Sequence, residues 1–263
     1  MRTLAILLLT ALPAMARDLP PGLVAAELMP GWVTPEGTRM IALRLDLEPG
    51  WKTYWRSPGD AGIPPSFDWS GSQNLAKVQI HWPRPEVIES DGERTLGYRD
   101  ELILPIELTP AQAGEVQVKA SVDLGLCLDI CVPAHLELTA APPLPTPEPR
   151  IQTALTQEPD RVATRPHCRI HPIEDGVRVT ALLPDGLMGA GAAATMELLD
   201  DGIWVSEPEV TQMGTTFSAT ADFIASSGKP FALDPDELRL TLIEQGDAIE
   251  LLGCDETELT LPG

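Results

Sequence analysis

Cys127 and Cys131 stand four positions apart in the stretch Asp123-Leu-Gly-Leu-Cys127-Leu-Asp-Ile-Cys131-Val-Pro133-Ala-His135. Thiols this close can pair, and a dithiol that opens and closes can pass electrons with no cofactor. A second pair, Cys168 and Cys254, is far apart in the chain. Closing the short loop stabilises a fold by about 2 kcal/mol in the chain-entropy treatment, against about 4.6 kcal/mol for joining Cys168 to Cys254. The short bridge is therefore the weaker staple. Four cysteines allow three pairings, and spacing does not choose among them. Pairing 127 with 131 and 168 with 254 keeps each bridge inside one half of the chain. On that pairing Cys127–Cys131 is read as redox-active and Cys168–Cys254 as structural, tying the first strand of the second half to its last.

The same residues raise metal chemistry. Cys127, Cys131 and His135 form C-x3-C-x3-H, and His167-Cys168-x2-His171 is a second dense cluster. Thiolate and imidazole ligands suit zinc or copper(I). That spacing makes a ligand face on a helix, whereas the surrounding alternation indicates strand and turn, so neither a metal nor a cofactor is expected. C-x3-C also differs from C-x-x-C, and no helix N-terminus is at hand to depress a thiolate pKa. Asp123 and Asp129, if close, disfavour the thiolate further. Such a dithiol suits a protein that reacts when a partner brings the activated thiolate.

The elements that must position the pair read as strands. Ile41, Leu43, Leu45 and Leu47 alternate with polar or small residues; Leu102, Leu104, Ile106 and Leu108 do so around Pro105; Val116, Val118, Ala120 and Val122 follow. Cys127 and Cys131 fall at a hairpin-like turn between the last of these runs and Leu136 and Leu138. Pro105 lacks a ladder donor and predicts an edge strand. In the second half, Val177–Val179, Phe217–Phe223 and Leu238–Leu242 repeat the pattern, and only Gly191–Leu199 hints at a helix. Short strands without β-helix-β alternation predict an all-β protein of two immunoglobulin-like antiparallel β-sandwich domains joined by a Pro-rich linker.

Boundaries follow from composition. Met1-Arg2-Thr3, the apolar run Leu4–Leu12 and Ala14-Met15-Ala16 have the layout of a secretory signal peptide, 1–16, too short to span a bilayer. The mature chain is expected to be soluble in the periplasm, where cysteines can oxidise. Residues 141–150 hold five prolines and read as a stiff extended linker between domains at 17–140 and 151–263. Of the formal charge of −21, residues 151–263 carry −14 (6 Lys+Arg, 20 Asp+Glu), read as a solvated acidic surface. Charge of this sign excludes nucleic-acid partners, and neither G-x-x-x-x-G-K-[ST] nor G-x-G-x-x-G occurs.

Several motifs in order carry a family resemblance. Gly50-Trp-Lys-Thr-Tyr-Trp-Arg-Ser-Pro-Gly-Asp-Ala-Gly-Ile-Pro-Pro65, Phe67-Asp-Trp69, Gly97-Tyr-Arg-Asp-Glu-Leu-Ile-Leu-Pro105 and Cys127–Pro133 resemble the N-terminal periplasmic domain of the DsbD/ScsB thiol:disulfide interchange proteins over roughly residues 25–140. The resemblance implies an immunoglobulin-like sandwich whose cysteine pair takes electrons from a thioredoxin-like domain and passes them to exported disulfide proteins. By position, Cys131 resembles the cysteine that forms mixed disulfides and Cys127 its resolving partner. The segment 89–98 resembles a cap loop over the pair; it lacks the family's cap phenylalanine, which leaves Leu96 or Tyr98 as the lid and partner-binding residue. The cysteine spacing is nearer the ScsB type. The family's membrane electron channel and thioredoxin-like domain are absent from these residues, so the reductant is expected from a separate membrane or thioredoxin-like protein.

Trp51, Tyr54, Trp55, Trp69 and Trp82 are read as packing groups in preference to a recognition surface, and Arg56, Asp60 and Asp68 as loop ion pairs of small worth. The resulting expectation is an exported relay: a partner thiolate attacks Cys131, Cys127 resolves the mixed disulfide, and reducing equivalents move to periplasmic client proteins. A non-catalytic module that docks thioredoxin-like proteins is the alternative, with a Cys/His metal protein behind it.

Overall fold

The computed structural model describes residues 19–259 apart from 91, 184, 185, 188, 190, 199–201 and 215; the expected signal peptide lies outside the described residues. The first half forms β1 (Leu23–Val33), β2 (Arg39–Leu47), β3 (Lys52–Tyr54), β4 (Ser66–Asp68), β5 (Leu75–Ile80), β6 (Glu86–Ser90), β7 (Glu93–Arg99), β8 (Glu101–Pro110), β9 (Lys119–Cys127) and β10 (Cys131–Thr139). One sheet runs β1-β2-β8-β5 and the other β10-β9-β3-β7-β6, with β4 also on β9. Period-two alternation aims Ile41, Leu43, Leu45, Leu104, Ile106 and Leu108 from the first sheet at Val122, Leu124, Leu126 and Leu136 of the second.

The second half repeats the plan with β11 (Asp160–Arg161), β12 (His167–Pro172), β13 (Gly176–Leu183), β14 (Ala193–Leu198), β15 (Ile203–Val205), β16 (Glu209–Met213), β17 (Thr216–Ala225), β18 (Leu238–Glu244), β19 (Asp247–Leu252) and β20 (Asp255–Leu259). Its sheets run β11-β19-β18-β14 and β15-β17-β13-β12-β20, with β16 on β17. Val179, Ala181, Phe223, Leu240 and Leu251 fill the space between them. The protein is all-β, built from antiparallel sheets in face-to-face pairs as the alternation predicts; among the described residues, parallel pairing is confined to β11 with β19, β12 with β20 and an isolated bridge from Trp32 to Leu144.

Three local expectations are corrected. Pro105 lies on an inner strand, because β8 is flanked by β2 and β5, and it stands opposite Ala42. Its carbonyl accepts from the His81 N–H at 2.9 Å, just past the end of β5. A residue's N–H and C=O point to the same side of a strand, so the missing donor also faces this end, and the β2 ladder loses nothing. The Ala-rich segment expected to be helical is β14, paired with β18 along its length, and burial on the sheet overrides helix propensity.

The proline-rich segment, read as a stiff extended linker between domains, lies along the first half. Ala141 O accepts from Arg39, and Leu144 N–H donates to Gly31 O at 2.7 Å. It leads into helix α1 (Pro149–Leu155), capped by the Glu148 side chain, with proline in the first turn where no donor is needed. Ile151 of α1 buries against Met29, Met40 and Ala42, covering the outer face of β1 and β2. Beyond α1, His81 Nδ1 lies 2.6 Å from Glu158.

Candidate functional site

The site is built on a hairpin. Cys127 ends β9, Cys131 opens β10, and the two stand opposite each other in register with Leu128-Asp129-Ile130 between them. They are joined by a disulfide, with Cα atoms 4.1 Å apart. The two sulfurs are not equivalent: the Cys127 residue is 1% exposed, whereas Cys131 is exposed. Solvent therefore reaches the Cys131 residue and is kept from Cys127. Leu128, Ile130 and Ile63 are exposed at 44%, 78% and 41%, an apolar surround in place of the solvating groups a free thiolate needs.

Tyr54 supplies a polar group on the inner side. On β3 it follows Lys52, which pairs with Cys127, and its ring runs toward the hairpin. The Tyr54 hydroxyl lies 2.8 Å from Cys127 Sγ and 3.0 Å from Cys131 Sγ. Disulfide sulfur carries no hydrogen, so the hydroxyl donates. Burial raises the Tyr54 pKa above its ordinary value of 10.0, which keeps the proton on oxygen through neutral pH.

Two glycines make that placement possible. A Cβ on Gly125 of β9 would sit 3.0 Å from the Tyr54 ring and 2.9 Å from Ile63 Cβ. A Cβ on Gly97 of β7 would sit 2.2 Å from Thr53 O, so β7 closes on β3 only with glycine there. On its other side the ring meets the loop that follows β3, where a Cβ on Gly62 would lie 3.1 Å from Tyr54 Cδ1. Tyr54 is thus a packing group, as expected of it, and also the residue that touches both sulfurs, which was not. Glycines interrupting strand patterns at 97 and 125 are the signal in the sequence that another group approaches closely there.

Leu96 and Tyr98, expected as lid residues, are core residues of β7, 5% and 6% exposed. The Tyr98 hydroxyl donates to Pro83 O at 2.8 Å, and burial pushes its pKa well up. Segment 89–98, expected to cap the pair, is the β6–β7 hairpin, and its contacts run elsewhere: Leu96 N–H to Pro58 O, and Arg94 Nε to Glu207 at 2.9 Å. The physical reason is that β7 is an inner strand of its sheet, packed so that both side chains are buried. The segment beside Tyr54 is the 58–63 loop instead. Trp55 is fully buried, while Trp51, Trp69 and Trp82 pack partly buried against the core.

Cys168 and Cys254 are joined by the other disulfide, both inside the second core. His135 does not join the cysteines: its Nδ1 lies 2.7 Å from Asp123, whose carboxylate raises the imidazole pKa, and Nε2 lies 3.4 Å from Glu137. Among the described residues no cluster of three or more His, Cys, Asp or Glu side chains is arranged to hold a metal ion.

Arg56, expected as a loop ion pair of small worth, is largely buried. Its Nε donates to Glu197 at 3.0 Å and its Nη2 to Glu250 at 3.0 Å, both in the second half, and its guanidinium lies 3.9 Å from the Trp55 ring centroid. Asp60 accepts from the Glu207 N–H at 3.2 Å. Part of the acidic charge expected on a solvated surface thus faces the first half.

A solved structure shares this fold. The crystal structure of the N-terminal periplasmic domain of ScsB from Proteus mirabilis superposes with a TM-score of 0.60, at 23% identity over 88% of this chain and 92% of that one. Tandem Ig repeats of Dlar align at 14% identity over 92% of this chain and 100% of that one, with a TM-score of 0.20. No curated protein matches. No helix among the described residues is long and apolar enough to cross a membrane. The family profile described as thiol:disulfide interchange protein DsbD, N-terminal, matches residues 24–143. Residues 24–143, which carry the Cys127–Cys131 bridge at their hairpin, are thus similar to the N-terminal domain of the DsbD thiol:disulfide interchange family.

Proposed function

We propose that this protein is a periplasmic dithiol relay working through Cys127 and Cys131. The observation that carries the reading is the asymmetry of the bridge: one cysteine is an exposed residue, the other a buried one, and a tyrosine hydroxyl lies within hydrogen-bond reach of both sulfurs. To charge the relay, a thiolate of a thioredoxin-like or membrane-protein dithiol attacks Cys131 Sγ. A bond forms between the partner's sulfur and Cys131, the Cys127–Cys131 bond breaks, and its electron pair leaves on Cys127, where the Tyr54 O–H meets it. The partner's second thiolate then attacks its own first sulfur and releases Cys131. The partner is oxidised to a disulfide, and the relay gains two electrons and, after protonation, two protons.

To discharge, the Cys131 thiolate attacks a client disulfide and the Cys127 thiolate attacks Cys131 Sγ. The client leaves as a dithiol and the bridge re-forms. Cys168 and Cys254 are read as a structural bridge, consistent with their burial in the second core. In this relay the signal peptide is cleaved after Ala16 and the two domains run 17–140 and 151–263.

In cells that export the protein, Cys127→Ser leaves Cys131 able to attack but removes the resolving thiol. Mixed disulfides between Cys131 and client proteins, formed by attack of its thiolate on a client disulfide, are expected to accumulate and to disappear under a reductant. Their absence, together with a Cys127–Cys131 potential below about −300 mV, where structural bridges lie, would reject the relay in favour of a docking module.

A further inference from the structure

Two separate sets of contacts from the second half converge on one short segment of the first. Arg56, two residues after Tyr54, is held by Glu197 of β14 and Glu250 of β19. The side chains of Arg56, Glu197 and Glu250 are 11%, 16% and 6% exposed, so solvent screens this cluster little. Ser57 and Thr195 of β14 share a hydroxyl hydrogen bond. A few residues on, Glu207 accepts from Arg94 through its side chain and donates its backbone N–H to Asp60. Pro58 O is tied to Leu96 N–H, and Gly62 N–H closes a turn on Gly59 O.

The inner side of that segment is the wall of the dithiol site. Gly62 packs on the Tyr54 ring, and Ile63 lies over Gly125, so the ring is confined between the loop and β9. Between the halves this leaves a cleft of about 320 Å³ lined by, among others, Arg56, Pro58, Arg94, Glu197, Trp204 and Glu207. The polar groups drawn across it grip the segment and reach no sulfur themselves.

We propose that Glu197 and Glu250, acting through Arg56, and Glu207, acting through Arg94 and Asp60, are positioning residues of the dithiol site: they clamp segment 56–63 so that the Tyr54 hydroxyl stays on the Cys127–Cys131 bridge. This rests on the relay reading above and assigns the second half a part in it. When a thiolate attacks Cys131, the bridge breaks and the electron pair goes to Cys127. The clamp matters at that moment, because a tyrosine free to swing away no longer donates to the departing thiolate. Charge-bearing groups in the second half thus act on a bond they do not touch.

The test uses the whole oxidised protein and dithiothreitol, following loss of the Cys127–Cys131 bridge by alkylation and peptide mass at fixed pH. Arg56→Lys keeps the charge but loses the planar fork, and Glu207→Gln removes the charge that pairs with Arg94 at a partly exposed position while leaving the backbone N–H on Asp60, so the two variants load the fold differently. Each is expected to slow reduction about five-fold, the scale of one hydrogen bond. In a Tyr54→Phe background neither is expected to slow it further, because both act through that hydroxyl; a general loosening of the fold would change both backgrounds alike. If dithiothreitol reduces the wild-type bridge and both variants react within two-fold of it, or if their effects persist undiminished in Tyr54→Phe, the clamp is wrong and the relay stands. If dithiothreitol leaves the wild-type bridge intact, the relay fails and the clamp with it.

Discussion

The Tyr54 hydroxyl lies 2.8 Å from the sulfur of Cys127, the member of the pair that solvent does not reach. A buried donor beside a buried sulfur is worth most when that sulfur becomes an anion, because no water replaces it. Tyr54→Phe keeps the ring and deletes the donor. Reduction by a small dithiol is expected to slow about five-fold, the rate equivalent of roughly 1 kcal/mol. Stopped-flow or quenched alkylation reads this directly, and an unchanged rate would remove the hydroxyl from the chemistry.

Gly125 supplies the space the Tyr54 ring occupies, since a methyl group there would sit 2.9 Å from Ile63 Cβ and 3.0 Å from the ring. Gly125→Ala is expected to cost about 1–3 kcal/mol by overpacking, read as a lower urea midpoint. The same change is expected to slow reduction of the bridge, since relief of the clash moves the ring. A stability equal to wild type would show that the wall yields easily.

The two bridges differ in what they do for stability. Cys168 and Cys254 are separated by 86 positions and sit in the second core. The Cys168→Ala/Cys254→Ala double variant is expected to lose about 2–5 kcal/mol, while loss of the Cys127–Cys131 bridge costs about 2 kcal/mol or less. Urea unfolding of each double variant compares them. A larger loss for the short bridge would reverse the assignment of the structural one.

His81 gives folding a pH dependence. Its Nδ1 lies 2.6 Å from Glu158 and its Nε2 3.7 Å from Glu107, and the hydrogen bond to Glu158 leads in raising its pKa above 6.5 despite burial. The folded state therefore holds the proton more tightly than the unfolded chain. The stabilisation is full below the unfolded value and is lost as pH rises through the higher folded value. Urea midpoints are expected to fall across that window in the wild type and to stay flatter in His81→Gln, which cannot titrate. Parallel profiles would show that the ion pair contributes nothing.

Much of this protein is legible locally. Alternation at Ile41–Leu47 and Leu102–Leu108 predicts strands because a strand's side chains face opposite ways at every step. It also predicts the cysteines at a hairpin, since Cys127 ends one such run and Cys131 begins the next. Position along a strand, however, does not say which strands become neighbours. Pro105 reads as an edge residue and is inner, because only the sheet order shows that β8 is flanked by both β2 and β5. Leu96 and Tyr98 read as a lid and are core, because β7 runs inside its sheet.

What the amino-acid sequence determines by itself is the pair of thiols, their spacing and the β periodicity around them, all carried by residues close along the chain. What only the tertiary structure decides is their surroundings. Tyr54 reaches Cys127 across 73 positions, and Arg56 reaches Glu197 across 141 and Glu250 across 194. Contacts of that range depend on how sheets stack and which halves meet, and no local pattern encodes them. The two cysteines of the bridge are written in the sequence; the groups around them are assembled by folding.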